Sequence, residues 1–337
     1  MKGLLMPHKF RFIAIRLLVV GTCIALFSGC QQAQKKDESV SLYVDAMTLS
    51  ESNAPDQAIT KLQQAVEKNP DFALAYSLMG NIYLEQNKFP ESAQAYQKAT
   101  ELNPWSFDDF CSLGRAYRMM DDFTSAAKAY AKACQLDPQN TSALCGAADA
   151  YYKVGDYQSA FEFGKSAKDL DPTDSEIDKL MGDIYTARKD NEMAIESYKN
   201  AIQTKPDDPN TMFALGAAYL QAGKLDEAKK LFESVVVKQP GNDLAWRHLG
   251  YIYLKLREVD LAVQKYQKAV EVSPTDWRAH KGLGVAYMMK YKVAKSFDNS
   301  ADANDYKKQA LAHWSKSLDL NPAQDKLLKL YRKYSAD

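Results

Sequence analysis

Histidine and cysteine are scarce in this chain, and neither sign of charge prevails. There are four histidines and five cysteines in 337 residues. His8 lies near the N-terminus, while His248, His280 and His313 are dispersed, with no H-x-x-H-type spacing to seat a metal. No Cys-x-x-Cys, glycine-rich phosphate loop or G-x-S-x-G elbow occurs, which removes common redox, nucleotide-binding and serine-hydrolase signatures. Lys+Arg and Asp+Glu both number 43, so no basic excess points to nucleic acid. Asp298, Ser300 and Asp302 mimic the start of a calcium loop, but Ala303 stands where that loop wants glycine and Gln309 where it wants glutamate. The expectation is no metal, no cofactor, no small-molecule substrate and no enzyme activity.

What the chain does have is a period. Seven prolines stand at 70, 104, 138, 172, 206, 240 and 274, each 34 residues from the last, and another follows at Pro322. The pattern is clearest between Asp243 and Pro274. Trp246, Leu249, Gly250, Tyr253 and Leu256 fall at helical steps of three and four, and Val259, Ala262, Tyr266 and Ala269 do so again. Pro274 ends the second run because proline cannot continue a helix. Two short amphipathic helices joined at Arg257-Glu258 follow from this. Each has an apolar stripe too wide to bury against its partner alone, so further copies must stack.

The copies align in columns. Gly80, Gly114, Ala148, Gly182, Gly216, Gly250 and Gly284 are small, and three residues on stand Tyr83, Tyr117, Tyr151, Tyr185, Tyr219, Tyr253 and Tyr287. The second helix carries Ser92, Ala126, Ala160, Ala194, Ala228, Ala262 and Ala310, then Tyr96, Tyr130, Tyr198, Phe232, Tyr266 and Trp314. A glycine inside a helix costs about 1 kcal/mol against alanine, so its recurrence implies that two backbones approach closely there. The period and the columns resemble the tetratricopeptide repeat. The resemblance covers residues 39–322 and implies an all-α fold, a right-handed superhelical solenoid of about eight helix–turn–helix units whose first helices line a concave surface.

Ahead of the repeats, residues 1–16 form a basic region, and Leu17–Gly29 is an apolar run of thirteen, too short to span a membrane. The run ends in Leu26-Phe27-Ser28-Gly29-Cys30. This resembles the lipobox of bacterial lipoproteins, with Phe27 in place of the usual aliphatic residue. The resemblance implies a signal peptide over 1–29 and a diacylated Cys30 as the first mature residue. Gln31 resembles the outer-membrane sorting pattern of proteobacterial lipoproteins, and 31–38 read as a structureless polar tether. Losing Lys2, Lys9, Arg11 and Arg16 with the leader leaves 39 basic residues against 43 acidic.

The first repeat, 39–72, is degenerate, with Ala46, Leu49 and Leu62 in the glycine, tyrosine and aromatic columns, as befits a cap. Ser106, Asn140, Asp174, Asp208, Asn242 and Asp276 precede later first helices, and all six are good N-caps; Phe72 breaks the column. Repeat four is thin, with Gly164 in place of the aromatic and Ala148 in place of glycine. Phe161 and Phe163 are candidates to fill the gap, so the repeat either repacks locally or serves as a hinge. Repeat eight has 14 extra residues near 291–304, expected to lengthen both helices by about two turns and to leave 298–302 as the tip. Residues 323–337 read as a C-terminal capping helix. Cys111 and Cys145 sit at equivalent points of neighbouring first helices, and helices packed about 8–10 Å apart exceed the reach of a disulfide, about 7 Å between α-carbons.

Carried over by column, the concave face includes Leu74, Ser77 and Asn81 near the N-terminal end. In repeats six to eight it includes Phe213, Leu220, Arg247, Tyr251, Leu254, Arg278, Lys281, Val285 and Met288. This last group is an apolar floor flanked by three cations, suited to a peptide bearing a carboxylate. The family's chaperone-tail clamp is absent, because Ser77/Asn81, Cys111/Arg115, Cys145/Asp149 and Lys179/Asp183 stand at its Lys/Asn spacing. The expectation is a non-enzymatic, lipid-anchored scaffold of the bacterial cell envelope, at the outer membrane and facing the periplasm. It would take protein or peptide partners, touch the membrane through its N-terminal lipid, and bind no nucleic acid. The alternative is a piloting chaperone for a single outer-membrane pore or pilus component.

Overall fold

A computed structural model describes residues 34–297 and 300–336. Every regular element among them is an α-helix, seventeen in all, with no strand. The chain divides into two compact units between Leu170 and Asp171. The first holds hairpins α1 (34–51) with α2 (Pro55–Lys68), α3 (Ala73–Glu85) with α4 (Phe89–Leu102), α5 (Phe107–Met119) with α6 (Phe123–Leu136), and α7 (Thr141–Val154) with α8 (Tyr157–Leu170). The second holds α9 (Ser175–Ala187) with α10 (Asn191–Thr204), α11 (Pro209–Gln221) with α12 (Leu225–Lys238), and α13 (Asp243–Lys255) with α14 (Val259–Val272). It ends with α15 (Trp277–Ser296), α16 (Ser300–Leu320) and the single helix α17 (Asp325–Ala336).

Side chains start six of the first helices, and backbone geometry stops the first helix of seven hairpins. At Ser106, Asn140, Asp174, Asp208, Asn242 and Asp276 a side-chain oxygen accepts from a backbone N–H of the first turn, while Phe72 makes no such bond. The stops fall at Asn53, Asn87, Asp121, Gly155, Lys189, Gly223 and Arg257, all with positive φ and each 34 residues from the last. At Arg257 the N–H donates to the Leu254 carbonyl (3.2 Å), and Glu258 N–H reaches back to the Tyr253 carbonyl (2.9 Å). This is a Schellman turn, whose left-handed residue frees the chain to reverse.

The small-residue column exists to receive a ring rather than a second backbone. A Cβ on Gly80, Gly114, Gly182 or Gly250 would lie 2.5–2.9 Å from ring atoms of Tyr96, Tyr130, Tyr198 or Tyr266, which project from the second helix of the same hairpin. Only at Gly284 does a backbone atom, the Ala310 carbonyl, join the collision, beside the Trp314 indole. The rings are buried, and so is the small column beside them: Ala126, Ala160, Ala194, Ala228, Ala262 and Ala310 are fully covered. Ser92 fills the same column in α4 and donates its hydroxyl to the Gly80 carbonyl at 2.8 Å, so its polar atom is satisfied. Repeat four follows the same logic in reverse. With no ring at Gly164, Ala148 is accommodated and fully buried, and Phe163 stacks on Tyr151 with centroids 5.5 Å apart.

The ends depart from the common hairpin. Residues 34–38, expected to be structureless, are the first described turns of α1. Glu38 ties them to Lys68 of α2 at 2.8 Å, and Ser39 is fully buried. At the other end, α15 has no reversal at Tyr291; α15 and α16 run 20 and 21 residues against 13 and 14 in α13 and α14. Ser300, Ala301 and Asp302 belong to α16, so the tip is shorter than expected; 298 and 299 lie outside the described residues. Leu327 of α17 is buried in the cluster that holds Trp314, with Tyr331 and Tyr334 packed beside it. None of Cys111, Cys134 and Cys145 forms a disulfide.

Candidate partner-binding surface

Three first helices of the second unit, α11, α13 and α15, border a cavity of about 680 Å³. Leu220 comes from α11, Arg247, Tyr251 and Leu254 from α13, and Arg278, Lys281 and Val285 from α15. The α13 residues lie three and four apart, which places them on one helix face. Seven of the nine side chains singled out from the sequence in repeats six to eight therefore share one cavity: Leu220, Arg247, Tyr251, Leu254, Arg278, Lys281 and Val285.

Two do not line it. Phe213 turns inward, edge-on to Phe232 with centroids 5.4 Å apart and 5.7 Å from the His248 ring. Met288 is 5% exposed and belongs to the buried cluster that also contains Leu327. It occupies the column of Leu254, but α15 continues as helix past this point and α17 follows, so the position is enclosed. Met289, one residue on, lines the cavity instead. Cys30 lies outside the described residues.

The lining contains residues that the column argument missed: His248, Lys255, Tyr266, Gly282 and Met289. A signal for Tyr266 was present. A second glycine follows the column glycine by 32 residues at Gly146 and again at Gly282. A Cβ at either position would strike a ring, Tyr130 for Gly146 and Tyr266 for Gly282. Tyr266 is thus wedged between Gly250 and Gly282 with its hydroxyl end toward α15.

The charges sort into one neutralised pair and three uncompensated cations. Arg247 pairs with Asp276, whose side chain is 7% exposed and also caps α15 by accepting from Arg278 N–H. Arg247 is therefore a strut between α13 and α15 rather than a waiting donor. Arg278 lies over the Trp277 ring at 4.5 Å, Lys281 over the same ring at 6.0 Å, and Lys255 over Tyr251 at 5.4 Å. None of the three has an ion-pair partner among the described residues, and no aspartate or glutamate lines the cavity. His248 stacks on Phe232 at 4.9 Å, and burial together with the Arg247 charge lowers its pKa to about 4. It is neutral at neutral pH.

Tyr266 is 3% exposed, and burial raises its pKa. Its counterparts are satisfied: Tyr96 donates to Asn81, and Tyr198 donates to Asp183 at 2.6 Å. The position equivalent to Asn81 and Asp183 is Tyr251 here, and the Tyr266 hydroxyl bonds to no protein group among the described residues. The same comparison shows that Asn81 is occupied in the first unit, as is Ser77, which donates to Asp109 at 2.9 Å.

Repeated helical hairpins with ring-into-glycine packing and a side-chain-lined cavity define a repeat protein built for contact. Two tetratricopeptide repeat models match the sequence, one over 51–87, 80–121, 114–155 and 182–223, the other over 213–276 and 250–306. Between them they cover more than half of the chain, which belongs to the tetratricopeptide repeat family. No curated protein matches it by sequence. Among solved structures, a repeat-containing protein from Cytophaga hutchinsonii is 18% identical with a TM-score of 0.56, over 74% of this chain and 97% of that one. The Pseudomonas aeruginosa pilF protein is 21% identical with a TM-score of 0.52, over 67% and 97%. A tetratricopeptide repeat protein from Parabacteroides merdae is 17% identical with a TM-score of 0.51, over 74% and 99%. At these identities the likeness is one of fold: an all-α tetratricopeptide solenoid.

Proposed function

We propose that the protein is a non-enzymatic scaffold that captures protein partners on the face bordered by α11, α13 and α15, and that a lipid on Cys30 holds it in a bacterial cell envelope. The observation that carries the first half is the cavity itself. Apolar bodies at Leu220, Tyr251, Leu254 and Val285 stand beside three cations, Lys255, Arg278 and Lys281, that no described carboxylate pairs, an arrangement completed by a partner that brings apolar side chains and negative charge. The second half rests on the lipobox-like residues before Cys30, and Gln31 favours the outer membrane, facing the periplasm. No described helix is long and apolar enough to cross a membrane.

A photo-crosslinking residue at Leu254 should trap partners in intact cells, whereas one at Val237, which is 79% exposed on α12, should trap few. Equal trapping at both sites would move the capture surface elsewhere. Several trapped partners fit a scaffold, and a single one fits a piloting chaperone. Mass spectrometry of the native protein should find a diacylated N-terminal Cys30; an unmodified terminus at another residue would remove the anchor.

A further inference from the structure

Resting on the reading of Cys30 as a lipid anchor, we propose that the outer face of α1 lies on the bilayer that holds the lipid, with Val40, Val44 and Met47 set among the headgroups. The three stand four and three residues apart on one helix face, and they are 50%, 53% and 40% exposed. Their place in the repeat identifies this face. Val44 belongs to the column of Leu78, Gly146, His248 and Gly282, through which a first helix meets the hairpin before it. Leu78 packs against the cluster of Ala58, Ile59 and Leu62, Gly146 receives the Tyr130 ring, His248 stacks on Phe232, and Gly282 receives Tyr266. No described helix precedes α1, so its seat for a neighbour is apolar and bare. End repeats of such arrays need a polar outer face. At the other end α17 supplies one, turning Leu327 inward and exposing Lys326, Lys329, Arg332 and Lys333.

The length of chain ahead of α1 says what covers that seat. Cys30 is four residues from 34, the first described residue of α1, a reach of at most about 14 Å. Val40 follows about 9 Å further along the helix. A lipid on Cys30 therefore keeps the stripe close to its own headgroup, and a second copy would have to enter the space between α1 and the bilayer. Lys35 and Lys36, both exposed, stand between Cys30 and the stripe, placed to meet lipid phosphates. Of the acids of α1, Glu38 and Asp45 are turned to Lys68 and Lys61 of α2, while Asp37 and Glu51 bound the stripe without interrupting it. An apolar helix face on a membrane sinks about 5–10 Å into the headgroup boundary. The lipid holds the chain, and the stripe fixes how its first hairpin stands on the surface.

The test uses the full chain purified from membranes with its native N-terminus, carrying a dansyl amino acid at Val44 or, as control, at Leu170, which is 44% exposed on α8. Each protein is reconstituted into vesicles of phosphatidylethanolamine and phosphatidylglycerol, with plain or brominated acyl chains. Bromine should quench the Val44 probe at least about twofold, because the face sits at the acyl boundary, and should leave the Leu170 probe unchanged. Val40→Asp should relieve the quenching at Val44 without lowering the melting temperature, since Val40 is half exposed. A photo-crosslinking residue at Met47 should yield phospholipid adducts in intact cells. Adducts to a second copy or to another protein in their place overturn the bilayer as occupant. An unquenched Val44 probe on a chain whose Cys30 is diacylated by mass spectrometry overturns this inference and leaves the anchor standing. An unquenched probe together with an unmodified Cys30 removes both.

Discussion

At the scale of single residues, the glycine column predicts unequal penalties for the same substitution. A Cβ at Gly182 would come within 2.5 Å of the Tyr198 ring, whereas at Gly216 the nearest Phe232 atom is 3.2 Å away. Gly182→Ala should therefore destabilise the chain by about 1–3 kcal/mol through overpacking. Gly216→Ala needs a shift of only tenths of an ångström, and the gain in helix propensity, about 1 kcal/mol, offsets much of it. Denaturant midpoints of the two variants check this; equal losses would mean that ring contact does not set the column. The histidines make a second prediction. Burial lowers His248 and His313 to about 4, from an ordinary value near 6.5. His280 Nε2 donates to the Pro274 carbonyl at 3.0 Å, and its Nδ1 faces His313 Nδ1 at 3.1 Å. Between about pH 6.5 and 4 the unfolded chain takes up protons that the folded one refuses, so stability must fall as pH falls through that window. Melting temperatures should hold above pH 7 and decline below 6.5, less steeply in His248→Gln. A flat profile would contradict the buried, neutral imidazoles.

At the scale of the helix, the starts were legible from their caps and the turn at Arg257-Glu258 from the apolar pattern, but the left-handed backbone that makes each turn was not. Ser, Asn and Asp advertise an N-cap because the side chain itself makes the bond. The reversal after each first helix depends instead on two backbone bonds, so its left-handed residue is Asn or Asp in some repeats, glycine in others, and Lys189 or Arg257 in two. A side chain with no special tolerance for that conformation carries strain of about 1 kcal/mol or more. Lys189→Gly and Arg257→Gly should each stabilise their hairpins by about 1 kcal/mol, read as a higher denaturant midpoint. A lower midpoint would show that these side chains repay their strain by contacts. The start of α1 was hidden for a related reason. Residues 34–38 are polar, which suggests a tether, yet helix there needs only good formers and an anchor, and Lys68 and buried Ser39 supply one.

At the scale of the whole molecule, the 34-residue period revealed the fold because each repeat repeats one packing problem. The site was half legible. Column arithmetic finds the residues that face outward from equivalent first helices, so it placed Leu220, Tyr251, Leu254, Arg278 and Lys281 on a common surface. It cannot see what breaks the repetition. Asp276 claims Arg247, the long α15 and the added α17 bury Met288, and the loss of an acceptor at Tyr251 turns Tyr266 from a core residue into a lining one. Those departures are what make this cavity particular to this chain.

The central claim is that this surface captures the partner through its apolar floor and its uncompensated cations. The measurement is a titration of the partner crosslinked at Leu254 against the parent chain, Tyr251→Ala, Lys281→Glu and Leu74→Ala. Tyr251 is 42% exposed on α13, and Leu74 is 58% exposed on α3 of the first unit. Tyr251→Ala and Lys281→Glu should each weaken binding by at least about tenfold, roughly 1.4 kcal/mol, while Leu74→Ala should stay within about twofold of the parent. Parent-like binding by both Tyr251→Ala and Lys281→Glu, with folded variants, would contradict the account.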